Sequence, residues 1–186
     1  MERNTSLGAV VRMLMAIAIP ISLQNLINVG VSVMDTLMIG SISETQLSGI
    51  AQANQPYFIF TTIVFGLASG SVVLTAQYWG KREIEPIRAI MGLMIRIGLI
   101  CALVLSIVVL CFPERVMSLF SGDEIVIAYG TQYLQVIGFS YLFSAFTGVY
   151  LLGLRSVGNV RITMYVYGAS FLINAFLNWV LIFGNL

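Results

Sequence analysis

Long apolar runs separated by short polar links constrain the fold of this chain more than any other feature of its sequence. A run of about 20 apolar residues is long enough to cross the hydrocarbon core of a bilayer as a helix. The runs cannot be isolated strands, because lipid offers no partner for the unpaired backbone groups of a strand. The sequence therefore predicts an all-α integral membrane protein with about five transmembrane helices. The predicted spans are roughly residues 11–39, 56–79, 87–112, 125–154 and 162–183.

The composition also predicts that lipid is the solvent of this chain. Hydrophobic residues make up 59% of it and charged residues only 9%, whereas roughly a quarter of an ordinary soluble domain is charged. The net charge of +1 contains no block of one sign, so nucleic acid is not an expected partner. The chain has no histidine and no phosphate-binding loop or pair of intramembrane acids. We therefore expect neither an enzyme nor a bound cofactor.

The distribution of basic residues predicts how the chain is oriented. Cytoplasmic loops of membrane proteins carry an excess of Lys and Arg. Arg115 falls on the far side of the predicted bundle and Arg96 within the third span. The other seven basic residues fall on the N-terminal side: Arg3, Arg12, Lys81, Arg82, Arg88, Arg155 and Arg161. We expect a multi-pass protein of the cell (plasma or inner) membrane, with a cytoplasmic N-terminus and Leu186 outside.

Asp35 is the single acidic residue inside a predicted span. A charged side chain in the middle of a bilayer costs at least about 2.5 kcal/mol on insertion scales, so an intramembrane acid indicates function. Polar residues accompany it at steps of three and four, which places them on one helix face. This stripe consists of Ser22, Asn25, Asn28, Ser32, Asp35 and Thr36. We expect it to avoid lipid, with Asn25, Asn28, Ser32 and Thr36 lining a pocket.

The fifth span carries a sparser polar face. Ser170, Asn174 and Asn178 are spaced four residues apart and project from one side of the predicted helix. The first and fifth spans cross the membrane in the same direction, and Asp35 and Asn178 lie at similar depths near their outer ends. If these helices face each other, Asp35, Asn174 and Asn178 converge. One carboxylate with amide and hydroxyl oxygens can take up a proton or bind a hard cation such as Na⁺.

A structural interpretation of the same residues stays open. Asn side chains commonly join membrane helices by hydrogen bonds, and Asp35 could serve only as a partner for them. Pro20, inside the first span, should kink the helix there. Pro56 is expected to open the second span, where its missing amide hydrogen costs little. Gly66 and Gly70 form a G-x-x-x-G pair that could bring another helix close.

Three segments resemble the multidrug and toxic compound extrusion (MATE) family of transporters. The first is Val-Met-Asp-Thr-Leu-Met-Ile-Gly at residues 33–40, with Pro20 upstream in the same helix. The second is Ala-Gln-Tyr-Trp-Gly at residues 76–80, at the end of the second span. The third is Asn-Ala-Phe-Leu-Asn-Trp-Val-Leu-Ile-Phe-Gly at residues 174–184. They occur in the order of the family and extend the resemblance over essentially the whole chain.

The resemblance implies an antiporter that exports organic cations and other toxic compounds in exchange for Na⁺ or H⁺. It implies two lobes of about six helices each around a central cleft, of which this chain supplies an incomplete N-terminal lobe and lacks the C-terminal one. It also implies that Asp35 lies in a polar pocket with Asn174, and that bending of the first helix at Pro20 accompanies protonation in part of the family. Some branches of the family have aspartate where this chain has Asn178, so Asp35 has no acidic partner here.

Alternating access is the mechanism that this resemblance implies, with Asp35 loaded from outside and emptied towards the cytoplasm. Two other functions remain open. A flippase for lipid-linked oligosaccharides from the same superfamily would have a related topology, but it would need cationic side chains in its cleft, and the spans offer only Arg96. A membrane scaffold without transport activity would leave Asp35 dispensable.

Overall fold

The computed structural model describes residues 7–41 and 43–183, and all regular secondary structure in these ranges is helical. The helices are α1 (Leu7–Gly40), α2 (Glu44–Lys81), α3 (Ile84–Cys111), α4 (Pro113–Ser118), α5 (Glu124–Ile137), α6 (Ser140–Ser156) and α7 (Val160–Phe183). The predicted all-α fold is confirmed. Arg3 and Leu186, used to orient the chain, and Gly184, the last residue of the third motif, lie outside the described residues.

The helices α1, α2, α3 and α7 are each long and apolar enough to cross a membrane. The shorter α5 and α6 pass the same test together, which makes five spans if this bent pair counts as one. Five spans in these positions match the number predicted from hydropathy. The short helix α4 lies in the third link, where no helix is predicted from the sequence.

The second helix begins twelve residues earlier than predicted, at Glu44 rather than at Pro56. Ser43 caps it, because its extended backbone lets the hydroxyl oxygen accept a hydrogen bond from the Gln46 amide at 3.3 Å. Glu44 adds a negative charge to the first turn, which the helix dipole favours. The prediction that Pro56 opens this helix was therefore wrong. Pro56 is a buried residue in the helix interior, which membrane helices tolerate when neighbouring groups satisfy the freed carbonyl.

The fourth span is broken between α5 and α6, which meet at an angle of 61°. The break interrupts the regular helical hydrogen bonds, and hydroxyl groups donate to two of the carbonyls there. Ser106 of α3 donates to the Gly138 carbonyl at 2.9 Å, and Ser140 donates to the Ile137 carbonyl at 2.7 Å. Ser106 is only 4% exposed. The bend is therefore held by a buried hydrogen bond from a neighbouring helix.

Replacing Ser106 by Ala is expected to destabilise the protein by about 1 kcal/mol, because the Gly138 carbonyl loses a buried donor. Thermal unfolding in detergent measures this as a lower midpoint. Ser69→Ala is the matched control, since the exposed Ser69 hydroxyl donates only to the Gly66 carbonyl of its own helix. Equal midpoints for the two variants would contradict the role given to Ser106.

The chain folds into two compact units. Among the described residues, the first contains α1 up to Met38 together with α7. Residues 39–157 form the second, with α2 to α6. Small side chains that let membrane helices approach closely are fully buried in the second unit. These are Ala53, Ala68, Ala102 and Ala145.

The glycine pair in α2 does not make the close contact considered from the sequence. A Cβ atom added at Gly66 or Gly70 would meet no atom within 4 Å in the part of the chain that the structure describes. Gly49, earlier in the same helix, does make such a contact. A Cβ atom there would lie 2.9 Å from the Tyr129 Cβ and 3.1 Å from the Gly130 amide nitrogen. The close approach thus occurs between Gly49 of α2 and the first turns of α5.

Candidate functional site

The first unit brings α1 and α7 side by side, and the two helices run parallel. Gln24 contacts Val160, Gly30 lies beside the Phe171 ring, and Asp35 contacts Asn178. The contacting residues advance along both helices in the same direction, as expected for two spans that cross a membrane with the same polarity. The polar residues of the first and fifth predicted spans therefore lie on neighbouring helices.

Asp35, Asn174 and Asn178 form one hydrogen-bonded group between α1 and α7. The Asn178 Nδ2 donates to the Asp35 Oδ1, and it also donates to the Asn174 Oδ1 at 3.3 Å. All three residues are half-buried. The convergence predicted from the sequence is confirmed as geometry, with Asn178 as the central residue because it contacts both of the others.

The chemistry of this group follows from its donors and acceptors. An ionised carboxylate only accepts hydrogen bonds, so the Asn178 amide suits Asp35 in its charged form. Among the described residues, no three His, Cys, Asp or Glu side chains come together. A cation at Asp35 would therefore take its other ligands from neutral oxygens, and Asn174 and Asn178 are the amide residues of this hydrogen-bonded group.

The residues of the polar stripe of α1 differ in how exposed they are. Asp35 turns towards α7, whereas Ser22, Asn25, Asn28, Ser32 and Thr36 are exposed. Two hydroxyls of the exposed group bond to their own helix: Ser32 donates to the Asn28 carbonyl at 3.2 Å and Thr36 to the Ser32 carbonyl at 2.7 Å. Asp35 thus lies at one edge of the predicted stripe, next to the face of α1 that packs on α7.

An open concavity of about 390 Å³ runs along the exposed side of α1. Its lining residues are Asn28, Val29, Ser32, Val33, Thr36 and Leu37. Three of the predicted pocket residues thus line one concavity. Asn25 is also exposed on α1, and Ser170 is exposed on α7, but neither is among the lining residues.

Gln24 is a polar residue of this unit that the sequence reasoning missed. Its side chain is fully buried, and its Nε2 donates to the Val160 carbonyl at 3.2 Å. A signal for it was present in the sequence. Gln24 precedes Asp35 by eleven residues, or three helical turns, which places both on the same face of α1. Pro20, the predicted hinge, is half-buried inside α1 one turn before Gln24.

Comparison with known proteins identifies the relatives of this chain. A family model described as MatE matches residues 20–180. The chain is 25% identical to the probable multidrug resistance protein NorM of Bacillus cereus, over all of this chain and 41% of that protein. It is 28% identical to the protein of that name in Bacillus licheniformis, over the same shares. It is 29% identical to that of Rhizobium meliloti, over 91% of this chain and 36% of the relative.

The chain thus spans about two fifths of the length of the relatives it matches. No solved structure matches it.

Proposed function

The chain belongs to the MatE family, and from this premise we propose that it is part of an ion-coupled exporter of organic cations and other toxic compounds. The family match confirms the resemblance that the sequence motifs indicated. Membership identifies a multi-pass membrane transporter rather than an enzyme. We propose further that a second lobe completes the transport cleft, since the relatives named multidrug resistance proteins are longer than this chain.

The observation that supports ion coupling is the contact between Asp35 and Asn178. It joins an acid in one apolar helix to an amide in another. Burying a charged carboxylate in a membrane-spanning helix costs free energy, and an ion or a proton that neutralises the carboxylate removes that cost. Asp35 is therefore proposed as the residue that loads the coupling ion, with Asn174 and Asn178 completing its surroundings.

Loading is proposed to weaken the attachment of α1 to α7. The Asn178 amide makes a charge-assisted hydrogen bond to the ionised carboxylate, and such bonds are about twice as strong as neutral ones. A proton on Asp35 makes this bond a neutral one. A Na⁺ ion would instead require the Asn178 side chain to turn its oxygen, rather than its NH₂ group, towards the site. In both cases the hydrogen bonding between the helices differs between the empty and the loaded state.

This difference is what alternating access requires, because a ligand shifts a conformational equilibrium only by binding the two states unequally. Pro20 lacks the amide hydrogen that would complete the helical bond to the Ala16 carbonyl, so α1 has a weak point there. We propose that α1 rearranges at Pro20 when Asp35 is loaded. In the predicted orientation the ion enters from outside and leaves to the cytoplasm.

The cargo is proposed to meet the exposed polar side of α1. Asn28, Ser32 and Thr36 line the concavity together with apolar side chains, and Asn25 is exposed nearby. A mixed surface of this kind suits an amphipathic compound, whose rings need apolar contact and whose polar groups need hydrogen bonds. Polar side chains facing lipid would be costly, so this side is more favourably placed towards a water-filled cleft.

Efflux of a fluorescent organic cation from cells making the full natural chain tests this function. A proton gradient and a Na⁺ gradient are imposed separately, with cells lacking the protein as the control. We expect one of the two gradients to drive efflux, which identifies the coupling ion. Absence of efflux under both gradients, at verified membrane abundance, would contradict the proposal and favour a flippase or a scaffold.

Asn178→Ala is expected to change the apparent affinity for the coupling ion by about tenfold, because a hydrogen bond to a charged group is lost. For Na⁺ it falls, since an oxygen ligand is lost. Asn174→Ala should change the affinity less, because the hydrogen bonds of this group connect Asn174 to Asp35 through Asn178. The half-saturating ion concentration for efflux measures both, and an unchanged value for Asn178→Ala would contradict the proposed site.

A further inference from the structure

Asp35 is not the only polar link between α1 and α7. Gln24 is fully buried and donates to the carbonyl of Val160, the first residue of α7. The Asp35–Asn178 contact lies towards the opposite ends of the two helices. The two contacts are eleven residues apart on α1, which is about 16 Å along the helix axis. They hold the segment of α1 between Gln24 and Asp35 against α7 at both of its ends.

A buried glutamine in an apolar helix requires an explanation, because an amide removed from water is costly unless it is hydrogen-bonded. The Gln24 amide finds its partner on another helix, so its bond constrains the position of α1 relative to α7. The segment between the two contacts contains Gly30, which lies beside the Phe171 ring of α7. The position of Asp35 relative to Asn178 thus depends on how α1 is held three turns away.

We propose that Gln24 is a positioning residue for the coupling site: it anchors α1 to α7 so that Asp35 meets Asn178. This inference rests on the proposed ion coupling through Asp35. Gln24 itself touches neither the ion nor the cargo in this account. Gln24 lies one turn after Pro20, so its bond to Val160 also holds α1 on one side of the predicted hinge. Bending of α1 at Pro20 would move the arm that precedes the proline, while Gln24 keeps its contact with Val160.

A double-mutant cycle distinguishes positioning of Asp35 by Gln24 from a general contribution of Gln24 to stability. Residues about 16 Å apart with no shared partner ordinarily contribute independently. If Gln24 acts through the Asp35–Asn178 contact, Gln24→Met should have an effect in the natural chain and none in the Asn178→Ala background. Met has nearly the shape of Gln without the amide. Gln24→Asn keeps the amide but shortens the side chain by one methylene, so it should behave like Gln24→Met.

The experiment measures ion-driven efflux by the full natural chain in reconstituted vesicles. Gln24→Met is expected to shift the half-saturating concentration of the driving ion about fivefold, or ~1 kcal/mol, in the same direction as Asn178→Ala. The maximal rate should stay within about twofold of the natural value, since the ion site itself is intact. Leu23→Met is the control, because the neighbouring Leu23 is exposed and should tolerate the change. An additive effect in the double variant, or no effect in the single one, would overturn the proposal.

A second readout does not depend on transport. Cysteines replace Gly30 and Phe171 in an otherwise cysteine-free chain, and a short bifunctional thiol reagent links them across α1 and α7. We expect Gln24→Met to lower the yield of the cross-link at least twofold, whereas Leu23→Met leaves it unchanged. An unchanged yield would refute the anchor even if the transport proposal holds. A vesicle assay without ion-driven efflux would refute the transport proposal, and the cross-link would still report on the anchor.

Discussion

Asp35→Asn is expected to abolish ion-driven export while leaving the protein folded and in the membrane. The variant keeps the size of the side chain and its ability to bond to Asn178, but it removes the charge that a proton or Na⁺ would neutralise. An ion that moves an equilibrium from about 1:99 to 99:1 must bind the two states with affinities about 10⁴-fold apart. Loss of that difference should lower dye efflux by roughly 100-fold.

Glu44→Gln provides the matched control for this variant. It makes the same change from carboxylate to amide at an exposed residue in the first turn of α2. Its efflux should equal that of the natural chain at the same membrane abundance. If Asp35→Asn also exports at the natural rate under the same gradient, Asp35 is only a hydrogen-bond partner of Asn178, and the proposed coupling site is wrong.

Gly49→Ala is expected to destabilise the second unit by about 1–3 kcal/mol, the usual cost of overpacking. The added Cβ would lie 2.9 Å from the Tyr129 Cβ and 3.1 Å from the Gly130 nitrogen and the Val126 carbonyl oxygen. Backbone atoms cannot rotate away as the end of a long side chain can, so α2 and α5 must separate. A lower unfolding midpoint in detergent and reduced membrane abundance are the expected results.

Gly66→Ala makes the same change in the same helix at an open position. It should leave the unfolding midpoint unchanged or raise it slightly, because Ala is the better helix former. Equal losses at both glycines would show that the loss comes from helix flexibility, and would contradict the packing of α2 against α5 at Gly49.

The sequence predicted the helical fold and the central contact of the candidate site, for identifiable reasons. Apolar runs of sufficient length have one stable structure in lipid, so the helices followed from hydropathy. Asp35, Asn174 and Asn178 could be placed together because a polar residue in an apolar helix needs a partner, and spans of equal polarity put them at similar depth. The contacts between these side chains agree with that placement.

Most of the features that could not be predicted from the sequence depend on contacts between different helices. The break after Ile137 depends on Ser106, a residue of another helix that donates to the Gly138 carbonyl. Proline is well tolerated at a helix start because its missing amide hydrogen costs little there, but in α2 the cap at Ser43 sets the start before Pro56. Whether a glycine is needed for packing also depends on another helix. A Cβ atom at Gly49 would meet atoms of α5, whereas one at Gly66 would meet no described atom within 4 Å.

The polar pattern of α1 does not single out Gln24, because the polar stripe lies mainly on the exposed side of this helix. The two polar residues of α1 that bond to α7, Gln24 and Asp35, are three turns apart, so they form no continuous polar pattern in the sequence. Burial distinguishes the two sides: Gln24 is fully buried, while Asn25, Asn28 and Ser32 are exposed.

The most direct test of ion coupling through Asp35 is to measure ion movement driven by cargo. The full natural chain is reconstituted in vesicles, a gradient of a fluorescent organic cation is imposed with no ion gradient, and internal pH and ²²Na⁺ content are followed. We predict that movement of the dye drives one of the two ions in the opposite direction, and that Asp35→Asn drives neither. Dye movement without ion movement, or the same ion movement by Asp35→Asn, would contradict the account.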